Sequence, residues 1–353
     1  MSARVTVLRG DGIGPEVVEA ALAVLGACVP VRVREARIGG DAIDHDGDAL
    51  PPETLAACKD ADAVLLGAVG GPRWEGPLRA EDGLLRLRRG LGLYANLRPA
   101  RYLGLPTPLR EGLARGADVM VVRDLAGGVY FGEPRSLSPS EAVNTWRQTT
   151  AQVERVARVA FEAARRRRKR VTSVDKANVL EASRLWRGVV TGLAHEYPDV
   201  ELEHRYVDAM SFEVLQSPRR FDVVLADNLF GDILSDELAA VTGSIGVLAS
   251  ASLGEGTPLF EPVHGSAPAL TGLGIANPTG AILSVALMLR YALGRPEQAT
   301  AVENAVDAAL RESRTPDVGG HSTTRDFAGA VLRRLHRPST PEEDGVSAYG
   351  WGV

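Results

Sequence analysis

Apolar runs of strand length alternate with helical repeats along most of this chain. Val5-Thr6-Val7-Leu8 is such a run, followed by the turn RGDGIGP and a helical pattern from about Glu16. Ala63 to Leu66 is a second and enters GAVGGP; Val119 to Val122 is a third, followed by Gly127-Gly128 and the segment VYFGEPR. Short unbroken runs of this kind predict strands covered on both faces. Val153, Val156, Ala157 and Ala160 recur at helical spacing, predicting a helix over 151–170 with one apolar face. It ends in the cationic run Arg165 to Arg170, which suits a solvated helix C-terminus and is otherwise a candidate nucleic-acid patch. Val171 to Val174 predicts a strand ending at Asp175-Lys176, and Phe221 to Ala226 another, leading to a helix that begins near Asp232. Strands alternating with helices specify an α/β fold.

At 353 residues the chain has room for about two domains. No Pro/Gly/Ser linker divides it, so a second domain is expected as an insertion within the first. Hydrophobic residues make up 45% and charged residues 24%, as in soluble globular proteins, and the net charge of -5 disfavours nucleic acid as a partner. Cys28 and Cys58 stand alone, with neither metal-ligand spacing nor a disulfide framework. The N-terminus runs straight into a strand without a signal-peptide pattern, and no apolar stretch approaches the ~20 residues of a membrane span. A cytoplasmic location is expected. The tail after His336, rich in Pro, Gly, Ser and acids, is expected to be disordered at least in part.

Several residues carry candidate chemistry. Asp232 and Asp236 are four apart, on one helix face. Such a pair suits a hard cation, Mg²⁺ or Mn²⁺, held by oxygen ligands; an N-cap aspartate followed by a solvated acid fits the spacing as well. Arg88, Arg98 and Arg123 present guanidinium forks that match a di- or tricarboxylate if they converge, and are otherwise surface residues. Lys176 follows a buried strand, where desolvation would make it a proton shuttle, and Tyr130 follows a glycine pair. The turn GDGIGPEV is not a Rossmann loop, because Val17 stands where the last glycine of G-x-G-x-x-G belongs.

Taken together, GDGIGPEV, ADAVLLGAVGGP, GLYANLRPA, GGVYFGEPR, VTSVDKANVLEASRLWR, ELEHRYVDAM, NLFGDILSDE, SASLGEGTPLFEPVHGSAP and GIANPTGAILS resemble the 3-isopropylmalate dehydrogenases. These lie within the wider family of isocitrate and related β-decarboxylating dehydrogenases. The resemblance implies a two-domain, non-Rossmann α/β fold with the active cleft between domains. Residues 1–93 plus 243–353 would form the cofactor-side domain, and 94–242 the inserted dimerisation and substrate/metal domain. It implies Asp232, Asp236 and, from the partner subunit of a homodimer, Asp208 as metal carboxylates, with Asp208 also near the substrate. Arg88, Arg98 and Arg123 would clamp the substrate carboxylates. Lys176, shared across the interface, would take the hydroxyl proton and Tyr130 would protonate the product carbon. Ile13, Glu261, His264, Gly265, Ser266, Ala267 and Asn277 would hold NAD.

Glu81, Leu84, Leu85 and Arg88 share a helix face, which reads as ordinary core packing by spacing alone. The resemblance makes Leu84 and Leu85, with Val179 of the partner, a pocket for an alkyl group. The implied reaction is oxidative decarboxylation of (2R,3S)-3-isopropylmalate to 4-methyl-2-oxopentanoate and CO₂, in leucine biosynthesis. Alternatives are the same chemistry on another 3-substituted malate, or a non-catalytic dicarboxylate-binding relative. Ala269 departs from the family's aspartate for the adenosine ribose, and Asp124 and Ala126 from its usual Glu and Thr.

Overall fold

Both faces of the first apolar run are covered: strand Ala3–Gly10 buries Val5, Thr6, Val7 and Leu8. The Thr6 hydroxyl satisfies itself by donating to the Ala57 carbonyl at 3.0 Å. Strand Ala63–Ala68 is buried along its whole length. The computed structural model describes residues 2–336, so the expected disorder of the tail after about 337 lies outside the described residues. They divide into two compact units.

Among the described residues, the first unit comprises 2–92, Leu103–Pro106 and 243–336. Its strands run in the order Val31–Ala36, Ala3–Gly10, Ala63–Ala68, Leu259–Pro262, Ala249–Gly254. The last pairing is antiparallel and the others parallel. Helix Thr279–Tyr291 is buried on nearly all sides and packs between the sheet and helices Gly14–Cys28 and Pro296–Glu312. Its apolar residues therefore show no single stripe, as expected of a core helix. Helix Gly14–Cys28 starts slightly before the expected Glu16, with Pro15 in its first turn, where a missing N–H costs nothing.

The second unit comprises Leu93–Tyr102 and Thr107–Thr242. Its strands run Leu93–Arg101, Asp118–Asp124, Val223–Ala226, Arg170–Asp175, Glu201–Tyr206. The first pairing is antiparallel, the rest parallel. A Thr149–Gln152 capping box opens helix Thr150–Arg165, which buries the four predicted apolar residues and Phe161.

Three expectations are corrected here. The helix ends at Arg165, not 170, and the cationic run is not simply a solvated terminus. Arg167, its side chain only 3% exposed, bridges Asp118 at 2.9 Å and Asp222 at 2.8 Å, and Arg168 donates to the Asp118 and Arg219 carbonyls. These cations tie strand ends together. The helix expected near Asp232 spans Asn228–Glu237, and its N-cap is Asp227, whose carboxylate accepts the Phe230 N–H at 3.0 Å. Asp232 lies inside the helix, so it is not a cap.

Burial, with help from neighbouring Asp124, pushes the Asp227 carboxyl up to about 7 against the pull of the Phe230 N–H. A carboxyl raised on folding binds its proton more tightly in the folded state. The stability this brings is full below about pH 4 and is lost as pH rises towards 7. Asp227→Asn keeps an acceptor oxygen and carries no charge. It should stabilise the protein by roughly 1–3 kcal/mol at pH 8 and leave it nearly unchanged at pH 3. Denaturant titrations at the two pH values decide this; an equal effect at both would refute it.

Candidate active site

Within the second unit, strands Leu93–Arg101 and Asp118–Asp124 set Asn96 opposite Arg123, and Arg98 lies one pleat away on the same face. Both arginines are buried. Arg123 donates to Asp232 Oδ1, and through Nε and Nη2 to the Asn228 carbonyl and side chain at 2.9 and 2.7 Å. Arg98 Nη1 lies 3.1 Å from Asp232 Oδ1, 3.2 Å from Asp236 Oδ1 and 2.7 Å from Ser235 Oγ, and its Nε donates to Asn96. The Tyr130 hydroxyl donates to Asp232 Oδ2 at 2.9 Å, and its ring lies 5.6 Å from the Arg123 guanidinium carbon. Five of the expected residues thus meet in one place.

Electrostatics follow from that geometry. Burial raises the Tyr130 pKa, and Asp232 raises it further, so the phenol keeps its proton at neutral pH. Burial also raises Asp236 despite Arg98, with Asp232 adding repulsion. Two carboxylates one turn apart on one helix are an oxygen donor set that fits Mg²⁺ or Mn²⁺. Among the described residues no group of three acidic, His or Cys side chains gathers as a metal site.

Asp208 is paired with Lys176 instead, Nζ to Oδ1 at 2.6 Å, and the lysine lowers its pKa. Lys176 therefore has an ion-pair partner, not the apolar surroundings its position after a buried strand suggested. Val179 is largely exposed.

In the first unit, helix Ala80–Gly90 carries Glu81, exposed, Leu84 and Leu85, half-buried, and Arg88, buried. Arg88 Nη2 meets Glu261 Oε1 at 2.7 Å, while its Nε is buried without a partner. A guanidinium with a spare buried donor fits an anionic ligand. Ile13 donates its N–H to the Ser266 carbonyl at 2.9 Å. Gly12 must be glycine: its φ is +58°, and a Cβ would meet that carbonyl at 2.0 Å.

His264 uses Nδ1 towards the Gly265 carbonyl, and its buried Nε2 has no partner. Burial pushes the imidazole below its ordinary pKa, so it is neutral. An orphaned neutral nitrogen on this segment fits the polar edge of a dinucleotide base. Gly265 is exposed, Ala267 adopts the left-handed φ of +41°, and Asn277 donates Nδ2 to Asp317 at 3.0 Å.

The model of the isocitrate/isopropylmalate dehydrogenase family matches residues 4–331. The chain belongs to that family. A 3-isopropylmalate dehydrogenase of Deinococcus radiodurans is 52% identical over 343 residues, covering 94% of this chain and 97% of the relative. One from Aquifex aeolicus is 48% identical over 354 residues, covering 95% and 97%. Among solved structures, an isocitrate dehydrogenase from Methylococcus capsulatus superimposes with a TM-score of 0.88 at 37% identity, covering 96% of this chain and 100% of that one.

Members of this dehydrogenase family use NAD(P) and a divalent metal, and among the described residues no helix is long and apolar enough to cross a membrane. Sequence reasoning missed three residues of this family member that hold others in place. Asn228 braces Arg123, Asp317 directs the Asn277 amide, and Asp11 accepts the N–H groups of Gly40, Asp41 and Gly70. An aspartate inside a glycine-rich turn was the available signal for Asp11; Asp317 carried none, because the Asn277 that it directs lies 40 positions away.

Proposed function

We infer that the protein is a 3-isopropylmalate dehydrogenase, oxidising and decarboxylating (2R,3S)-3-isopropylmalate to 4-methyl-2-oxopentanoate in leucine biosynthesis. The observation that carries this reading is the meeting of Arg98, Arg123, Tyr130, Asp232 and Asp236, in a chain about half identical to enzymes of that name. NAD would supply the hydride acceptor, and Mg²⁺ or Mn²⁺ a Lewis acid for the substrate oxygens. Asp232 and Asp236, with Asp208 of a second subunit, would hold the cation. Ile13, Glu261, His264, Gly265, Ser266, Ala267 and Asn277 would hold the cofactor.

The chain's own residues supply the rest. Arg88, Arg98 and Arg123 would bind the substrate carboxylates, fixing which carbon loses hydride. Lys176 takes the hydroxyl proton and then steadies negative charge as CO₂ departs. Tyr130, protonated and oriented by Asp232, delivers a proton to the resulting carbanionic carbon. Leu84 and Leu85 receive the isopropyl group, with Val179 of the second subunit, and Glu81 borders them; an added carboxylate there would be desolvated without a partner.

A homodimer sharing Lys176 and Asp208 across its interface is supported by Phe212 and Ile233, 65% and 55% exposed on the helices that carry Asp208 and Asp232. The residues up to about 93 and from 243 serve the cofactor, and 94–242 the dimer, substrate and metal. We place the enzyme in the cytoplasm. A panel of alkylmalates, isocitrate, homoisocitrate and tartrate, each with NAD and NADP and Mn²⁺, tests the activity. Isopropylmalate with NAD should give the highest kcat/KM, and a better rate on any other acid would replace this assignment. Sedimentation of the active protein should show a dimer.

A further inference from the structure

The segment from His264 to Asn277 contains almost no regular structure, only the single turn Pro268–Leu270. Its middle is exposed, with Leu273 at 59%. A loop this long holds a ligand well only if its ends are fastened, because each free residue adds backbone entropy to be lost on binding. The near end is fastened by the Ile13 N–H on the Ser266 carbonyl at 2.9 Å. The far end has a different fastening. The Glu16 carboxylate, in the first turn of helix Gly14–Cys28, accepts the Ala276 N–H at 3.0 Å across 260 residues. The Thr324 hydroxyl stands against the same carboxylate oxygen and lies 2.6 Å from the Ala276 carbonyl, while the Thr324 N–H reaches the Gly274 carbonyl at 2.9 Å.

Glu16 has no cationic partner among the described residues; what it accepts comes from neutral donors. A carboxylate at a helix N-terminus could be satisfied by that helix alone. Here it reaches instead to the residue before Asn277, whose amide Asp317 directs. The glycine-rich turn GDGIGPE, which lacks the Rossmann spacing, thereby grips both ends of one loop: Ile13 at 266 and Glu16 at 276.

We propose that Glu16 is a positioning residue for segment 264–277, buckling the loop's far end to helices Gly14–Cys28 and Thr324–Leu335 so that it meets the dinucleotide already ordered. The proposal rests on the reading that this segment holds the cofactor. Glu16 touches neither substrate nor reacting atoms, so its loss acts on cofactor affinity and loop order, not on the chemical step.

Hydrogen exchange and calorimetry on the full chain separate the two claims. In Glu16→Ala without cofactor, amides of 264–277 should exchange at least about tenfold faster while the sheet strands are unchanged. NAD should bind about tenfold more weakly, as expected for one lost charge-assisted hydrogen bond, with kcat and the alkylmalate KM within about twofold. Glu16→Gln, which keeps an acceptor oxygen for Ala276, should recover most of the affinity. Thr324→Val, which leaves the Glu16–Ala276 bond, should loosen the loop less. Unchanged exchange in Glu16→Ala overturns the buckle, as does a uniform loss of Tm, kcat and both affinities, or a Glu16→Gln as impaired as Glu16→Ala. If the native protein binds no NAD, the cofactor reading fails, and exchange still judges the buckle.

Discussion

Tyr130→Phe is expected to lower kcat by about two to three orders of magnitude, the usual worth of a positioned general acid. The phenol donates to Asp232 at 2.9 Å, and burial together with that carboxylate keeps it protonated at neutral pH. Phenylalanine preserves the ring beside Arg123 and removes only the proton source. The alkylmalate KM and Mn²⁺ affinity should therefore stay within about threefold, since a proton delivered after CO₂ loss stabilises a transition state and not the bound substrate. Steady-state kinetics with Mn²⁺ and NAD in excess checks this. A kcat near that of the native protein would take Tyr130 out of the chemistry.

Asp232→Asn should be more damaging still. This carboxylate receives Arg98, Arg123 and Tyr130 together, and it is half of the donor pair. The asparagine removes the negative charge that Arg123, its side chain 2% exposed, meets through Nη1. Asn228 still accepts from that arginine and Asp232 is partly exposed, so the stability cost should be about 1–3 kcal/mol, below that of a fully buried pair. Catalytic efficiency should fall by at least about three orders of magnitude, and Mn²⁺ binding at least about tenfold. Calorimetric Mn²⁺ titration beside thermal unfolding distinguishes the two losses. In Asp236→Asn the metal loss should persist with a smaller stability cost, because the Asp236 carboxylate pairs with Arg98 at 3.2 Å and its side chain is half exposed. Unaltered Mn²⁺ affinity in both variants would show that the cation is held elsewhere.

The buried strands were legible as unbroken apolar runs because both of their faces are covered, which removes the polar alternation a one-sided sheet would show. Val5 to Leu8, Ala63 to Leu66 and Val119 to Val122 all lie in strands. The four apolar residues of helix Thr150–Arg165 were legible for the matching reason, since their spacing puts them on one side of a single helix. The family was legible from the order and wording of its motifs along nearly the whole chain.

The chain alone thus determined which segments are strands and helices, which turn is not a Rossmann loop, and which residue types could do the chemistry. Those properties are set by neighbours within a few positions, where periodicity and turn residues act. Only the tertiary structure decided how charges are matched. It paired Arg88 with Glu261, set Arg98 and Arg123 on Asp232, turned Arg167 inward to Asp222, made Asp227 and not Asp232 the cap, and led Glu16 to Ala276. A charged side chain shows no periodicity of its own, and its partner is whichever opposite group the packing of distant elements brings within about 3 Å. That distance is a property of the assembled sheet and helices, and no local stretch of sequence contains it.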